Sequence, residues 1–222
     1  MIVEVRGWWV VHFTHLDNLP SIVAAGRLSC DDRARQGQLR TEVGDPEIKE
    51  NRRRRRVPVE PHGTVGDYVP FYFCARSPMM YRIACDCRDS VPGRYQGGDR
   101  PLIYLAARVG SIVDRRLRWI ATDGNAAAAI TRFTTDIREL GEMIDWPLMT
   151  AEKWHNALED NDRQRRRMAE LLVHREVPLS VFHEVAAYSE PYAGRARSAL
   201  GDHPLAQRVN VRPGWYYGYE RR

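Results

Sequence analysis

The 222-residue sequence is poor in cysteine, nearly devoid of lysine, and has no long apolar run. Its four cysteines, Cys30, Cys74, Cys85 and Cys87, form no Cys-x-x-Cys pair. Cys85-x-Cys87 alone lacks the second ligand pair of a zinc site, so no metal is expected and the thiols read as reduced and structural. No stretch approaches the roughly 20 apolar residues that span a bilayer. The segment Met1 to Val11 lacks the layout of a secretory signal. These absences argue against a membrane partner and make the cytoplasm the expected compartment. Gly-x-Gly-x-x-Gly and Gly-Lys-Ser/Thr loops are also missing, which argues against Rossmann and P-loop chemistry. No internal repeat or low-complexity linker divides the chain. Residues 1–222 therefore read as one domain, long enough to bury a substantial core.

Basic charge is present, but arginine carries it. Lys49 and Lys153 are the only lysines, yet the formal net charge is +5, which fits an anionic partner. Two clusters concentrate it, Arg52 to Arg56 and Arg163, Arg165, Arg166 and Arg167. Either alone is compatible with a solvated helix face. Two in one basic chain favour phosphate contact.

Trp8 to Phe13 reads as a buried strand. Asp17 or Asn18 caps the helix that follows, with Pro20 in its first turn and Gly26 at its end. Asp31 to Pro61 is polar and partly helical around Pro46 to Arg56. Tyr68 to Phe73 predicts a second strand, with Pro70 implying an edge or a bulge. Ser77-Pro78 opens a short helix. Cys85 to Asp99, with Gly93, Gly97 and Gly98, predicts a mobile loop. Leu102 to Ala106 is a strand, Thr122 to Asn125 a turn, and the alanines after it a helical run. Leu171 to Val173 and Val181 to Tyr188 supply late strands, and Trp215 to Tyr217 close the chain. Short strands separated by irregular stretches predict an α+β fold, not a doubly wound sheet.

The most telling stretch runs from Val10 to Leu28. An apolar strand leads into His12-x-Thr14-His15, then a capped amphipathic segment ends at Gly26. This puts an imidazole and a hydroxyl at a strand end, as a small-molecule site requires. Two further pieces follow at wide separation: an aromatic strand leading to Tyr81, and Glu170 entering a late apolar strand. Together these resemble the ADP-ribosyltransferases of the poly(ADP-ribose) polymerase type. The likeness is closer to the DarT family of DNA ADP-ribosyltransferase toxins. It rests on His12-Phe13-Thr14-His15-x-x-Asn18-Leu19-x-x-Ile22-x-x-x-Gly26, Val69 to Phe73 with Arg76 to Tyr81, Thr122-Asp123-Gly124-Asn125-Ala126, and Arg167 to Val173.

The resemblance implies an ADP-ribosyltransferase-like fold with split, twisted, antiparallel-rich sheets and flanking helices. It also implies NAD as co-substrate and a substrate-covering insertion over about 123–168. Glu170 would be the catalytic carboxylate, stabilising an oxocarbenium-like ribose as in glycoside hydrolysis. Arg52 or Arg53 would stand near the pyrophosphate and the acceptor base, the register being open within the run. His12, Thr14, His15, Asn18 and Gly26 would form the NAD site, with Phe71 and Tyr81 against the nicotinamide. Core packing is the simpler reading of Phe71. Arg54, Arg76, Arg163, Arg165 and Arg166 are expected to track a DNA backbone, and Trp154 and His155 to meet flanking bases. Trp146 and Trp154 serve equally well as packing anchors.

The expected acceptor is a base in single-stranded DNA, thymine ahead of guanine, since a duplex hides the reactive ring nitrogen. A DarG-like macrodomain antitoxin is the partner the resemblance implies. Two alternatives stay open in the sequence: an RNA 2′-phosphotransferase-like NAD enzyme, and a non-catalytic arginine-rich nucleic-acid-binding module.

Overall fold

The computed structural model describes residues 4–220; Met1 to Val3, part of the segment tested for a signal, and the last two residues of the expected 1–222 domain lie outside the described residues. Among the described residues no helix is long and apolar enough to cross a membrane.

In chain order, β1 (Trp9–His15) leads to α1 (Leu19–Ala25), β2 (Arg27–Ser29), α2 (Asp31–Ala34) and α3 (Pro46–Arg54). There follow β3 (Tyr68–Tyr72), α4 (Pro78–Arg88), β4 (Leu102–Arg108), α5 (Val109–Asp114), β5 (Trp119–Thr122) and β6 (Phe133–Thr134). The last third holds α6 (Leu140–Met143), α7 (Trp146–Thr150), α8 (Arg163–Arg167), β7 (Glu170–His174), β8 (Glu176–Pro178), β9 (Glu184–Ala187), α9 (Glu190–Leu200) and β10 (Val209–Val211). Eight strands form one sheet in the order β10-β9-β4-β1-β3-β7-β5-β6, while β2 and β8 make a separate pair. Every pairing is antiparallel except β10 with β9. The α+β expectation holds.

The sheet is split at its middle. β1 matches β4 along its whole length, from Trp9 opposite Arg108 to His15 opposite Leu102. Towards β3 its register is the single pair Val11 with Tyr72. Pro70 sits in that gap, and this corrects the edge-or-bulge expectation. β3 is central, and a proline is tolerated there because no ladder donor is needed where the two strands part. The Pro70 carbonyl instead faces His12 Nδ1 at 2.8 Å.

Alternation along β3 sorts its side chains onto two faces. Val69, Phe71 and Phe73 enter the main core with Leu171 and Val173 of β7, Ile103 and Leu105 of β4, and Leu19 and Ile22 of α1. Tyr68, Pro70 and Tyr72 face the opposite way. Burying a side chain such as Phe71 contributes about 1.5–3 kcal/mol.

Two further expectations change. The alanine run forms turns, not a helix, with Thr131 Oγ1 closing onto the Asn125 carbonyl at 2.6 Å. Of the loop expected over 85–99, α4 claims the first residues, through Arg88. The remainder is tied down by Gln96 Nε2 donating to the Val91 carbonyl at 2.7 Å, by the Arg94–Asp45 ion pair and by buried Asp99. The insertion expected over about 123–168 is anchored, as one reading of Trp146 and Trp154 allowed. Leu140, Ile144, Trp146, Leu148, Met149 and Trp154 all join the main core.

Candidate active site

The site begins with a register. Antiparallel pairing sets Tyr72 opposite Glu170, and Glu170 in turn opposite Thr122. Three strands thus bring a phenol, a carboxylate and a hydroxyl into one row beside the split. The Glu170 amide donates to Thr122 Oγ1 at 3.2 Å, which pins the first residue of β7.

The Glu170 side chain is fully buried. A buried carboxylate requires a partner and satisfied lone pairs. Arg52 donates Nη1 to Oε1 at 3.0 Å and Nη2 to Oε2 at 2.9 Å, a two-pronged contact. The Ala126 amide adds a third bond to Oε1 at 3.1 Å. Burial disfavours the Arg52 charge, but Glu170 outweighs it and raises the guanidinium above its ordinary value. Burial, with the Glu170 charge next, likewise raises Tyr72. Its phenol stays neutral in ordinary buffers.

α3 delivers Arg52. Asp45 caps the helix by accepting the Glu47 amide at 2.9 Å, and Pro46 occupies the first turn. Only Arg52 of the arginine run turns inward. Arg53 points away, to Asp31 at 2.6 Å and Glu50 at 3.2 Å, so its place in the catalytic set is corrected. Arg54 lies on the surface, bonded to Glu50 at 2.8 Å.

Arg52 faces a cleft enclosing about 1210 Å³ of empty space, open to solvent. His12, Thr14, Tyr72, Lys49, Met79 and Asn125 are among the residues that line it. His12 is held by the Pro70 carbonyl, so Nδ1 carries the proton and Nε2 is left as an acceptor. Burial brings its pKa down to about 4, against the pull of that hydrogen bond. The ring is a neutral acceptor at neutral pH. Thr14 Oγ1 accepts from Asn18 Nδ2 at 3.0 Å and keeps its own proton to donate.

Asn18 also lines the cleft, while the other expected NAD contacts are placed differently. Asn18 spends its amide on the protein: Oδ1 accepts from Arg40 N at 2.7 Å and Thr41 N at 2.8 Å, and Nδ2 also donates to the Thr41 carbonyl. It ties the 40–41 segment to the end of β1. His15 accepts the Asp17 amide and sits edge-on to Tyr95, outside the cleft lining. Gly26 ends α1 at φ 66°, a conformation glycine adopts without strain. Phe71 is on the core face, stacked with Phe182. Tyr81 packs against Trp154, His155, Tyr217 and Tyr219, on the side of α4 away from Met79. Counting by two from Pro70 would have selected Tyr72 as the cleft aromatic. Asn125 stood in the Thr122 to Ala126 stretch without an assigned role, and Lys49 carried no comparable signal.

The expected DNA contacts are also altered. Arg165 is engaged by Asp162 at 2.7 Å and Asp123 at 3.1 Å, Arg166 by Asp160 at 2.6 Å and Asp145 at 3.1 Å. These carboxylates neutralise that cluster internally, which removes the basis for reading it as a phosphate track. Arg163 donates to the Lys153 carbonyl, and Arg76 lies 4.4 Å over the Tyr217 ring. Trp154 is buried, its indole donating to the Tyr217 hydroxyl at 3.1 Å, so it is an anchor and no base platform. His155 is exposed and stacks on it at 4.1 Å. Among the described residues no group of three or more His, Cys, Asp or Glu side chains is arranged to hold a metal ion.

This arrangement of split sheet, buried glutamate and inward arginine agrees with the comparisons, which define the class as DNA ADP-ribosyltransferase. The sequence pattern of the family described as "ssDNA thymidine ADP-ribosyltransferase, DarT" matches residues 11–217, and the chain belongs to that family. A "DNA ADP-ribosyl transferase" of Mycobacterium tuberculosis is 39% identical over 213 residues, covering 95% of this chain and 89% of that protein. The structure of "Thermus sp. 2.9 DarT in complex with ADP-ribosylated ssDNA" superposes with a TM-score of 0.87 at 30% identity, covering 98% of this chain and 100% of that one. The same Thermus protein "in complex with NAD+" gives a TM-score of 0.81 at 30% identity and the same coverage. A "DNA ADP-ribosyl transferase-DNA ADP-ribosyl glycohydrolase fusion protein" of Thermosipho africanus is 28% identical over 164 residues, 73% of this chain and 38% of that protein. The phosphotransferase and binding-module alternatives are set aside.

Proposed function

We propose that this chain transfers ADP-ribose from NAD to thymine in single-stranded DNA, and that it acts as the toxin of a pair whose antitoxin is a DarG-like macrodomain protein. The observation that carries the chemistry is Glu170, buried and held by the Ala126 amide and by Arg52, which itself lines the cleft together with His12 and Thr14. The family description supports thymine. The Thermus complexes support NAD and single-stranded DNA, and the Thermosipho fusion supports a glycohydrolase partner.

In this reading the neutral His12 Nε2 accepts a ribose hydroxyl and Thr14 donates to an acceptor oxygen of the same substrate. The apolar and aromatic wall that includes Tyr72 and Met79 takes the nicotinamide. Cleavage leaves positive charge on the ribose, and the Glu170 carboxylate, oriented by Arg52, stabilises it. The nicotinamide departs with the bonding electrons, and the acceptor ring nitrogen forms the new bond and gives up its proton to solvent. Arg52 lies between Glu170 and the cleft, so a pyrophosphate has a ready cation to engage.

The test is incubation with labelled NAD and mixed-sequence oligonucleotides, single- and double-stranded, of DNA and RNA. We expect a single ADP-ribose adduct on thymine, in single-stranded DNA alone, and none with Glu170→Ala protein that still unfolds cooperatively. An adduct on guanine would overturn the base assignment. Full activity in Glu170→Ala would overturn the mechanism.

A further inference from the structure

A buried arginine stands outside the reacting groups. The sequence groups Arg167 with the basic residues Arg163, Arg165 and Arg166, yet it is only 4% exposed. Arg165 and Arg166 are paired with carboxylates, whereas Arg167 has none as a partner among the described residues. Its guanidinium is committed to main-chain carbonyls instead. Nη1 donates to Leu148 and to Ala151, the latter at 3.0 Å, and Nη2 donates to Arg76 at 3.2 Å. Leu148 lies in the last turn of α7 and Ala151 caps that helix, where carbonyls run short of partners. Arg76 belongs to the turn that follows β3, and Arg167 itself ends α8. One side chain thus joins three segments that are distant in sequence. Burying a cation without an anion costs stability, and an apolar side chain would fill the same space without that cost. The planar fork of donors explains the choice, since it reaches several carbonyls at once in fixed directions.

What the fork holds is the frame of Glu170. The insertion leaves the sheet after Thr122 and returns at Arg167, and both ends flank the carboxylate. Its start supplies the Ala126 amide to Glu170 Oε1 at 3.1 Å. At its return, the Arg165 and Arg166 carbonyls accept the Met168 and Ala169 amides at 3.0 Å each, so the chain runs from the fork into β7 without a free residue between. Met168 lines the cleft. Cys74 Sγ donates to the Arg167 carbonyl at 3.8 Å, fixing the backbone of the same residue. The Arg76 carbonyl that Nη2 engages also accepts the Tyr217 hydroxyl at 3.2 Å, and that hydroxyl accepts from Trp154 Nε1 at 3.1 Å. Trp154 is part of the insertion, so a second route ties the insertion to the Arg76 turn.

We propose that Arg167 is a positioning residue for ADP-ribosyl transfer. By clamping the end of the insertion to the turn after β3, it sets the first residue of β7, Glu170, in register with the cleft. The proposal rests on the reading of Glu170 as the reacting carboxylate.

The test measures transfer to a saturating single-stranded oligonucleotide, at a temperature where urea titration shows each full-length variant to be folded. Arg167→Lys keeps the charge and loses the fork. Its kcat should fall about ten- to a hundredfold, the cost of a misplacement of about 1 Å. The KM for NAD should stay within about twofold, because His12, Thr14 and Arg52 are untouched. Tyr217→Phe removes one bond to the same carbonyl and should lower kcat about threefold with the KM again unmoved. It carries the test alone if Arg167→Lys does not fold. Variants that lose stability but turn over at the wild-type kcat overturn the proposal, since Arg167 is then a brace for the insertion and nothing more. A KM for NAD that rises while kcat holds also overturns it, because the fork would then shape the cofactor cleft. Full activity in Glu170→Ala instead refutes the parent reading, whatever Arg167→Lys does.

Discussion

Arg52 and Arg53 adjoin in the sequence, yet they point about 100° apart around α3 and do different work. Among the described residues Arg52 is the sole side-chain partner of a fully buried carboxylate, while Arg53 joins a half-exposed network with Asp31 and Glu50. Arg52→Ala leaves Glu170 buried and unpaired, and should cost about 3–5 kcal/mol in urea unfolding along with the activity. Arg53→Ala should cost about 1 kcal/mol or less. Equal losses in the two variants would contradict the orientation described. Phe71 and Tyr72 form a second such pair. Phe71→Ala, on the core face, should lose about 3–5 kcal/mol of stability, while Tyr72→Ala should mainly raise the KM for NAD. The sequence marked every one of these positions as aromatic or basic. Which of two neighbours faced the cleft depended on strand and helix phase.

At the scale of elements, α3 links a surface clamp to the reacting groups. Asp45 caps its first turn and pairs with Arg82 of α4 at 2.7 Å and with Arg94. Arg52 lies two turns further on. Asp45→Ala removes both cap and clamp, and should lower stability by about 1–2 kcal/mol from the cap alone. The angle at which Arg52 meets Glu170 should loosen as well, and kcat should fall. Asp45→Asn keeps the cap but weakens the ion pairs, so it should recover most of the stability. If Asp45→Asn is as unstable as Asp45→Ala in a denaturant titration, the ion pairs and not the cap dominate. The alanine run shows the opposite relation between propensity and place. Alanine favours helix, but Glu170 draws the Ala126 amide and Thr131 draws the Asn125 carbonyl, and the turns they fix win.

For the whole molecule, the split in the sheet couples pH to stability. His12 is buried with its pKa lowered to about 4 from 6.5. A lowered histidine contributes stability that is full above pH 6.5 and is lost as pH falls towards 4, because only the unfolded chain takes up the proton. A shift of this size corresponds to about 3 kcal/mol. The urea midpoint of wild-type protein should therefore fall between pH 6.5 and 4, and His12→Gln should flatten that part of the curve. A wild-type midpoint that stays constant over this range would mean that the imidazole is charged in the fold.

The sequence by itself determined the α+β class, the strand carrying His12 and Thr14, the capped helix ending at Gly26, and Glu170 at the entry of a late strand. These are local facts, written in periodicity, caps and short motifs. Only the tertiary structure chose Arg52 over Arg53 and Tyr72 over Tyr81, drew Asn18 into bracing a loop, and spent Arg165 and Arg166 on neighbouring carboxylates. Those outcomes depend on which residues from distant segments meet, and a single sequence does not encode that in its local pattern. Glu170 needed β3, β5 and α3 around it before a buried carboxyl group could find its hydrogen-bond partners.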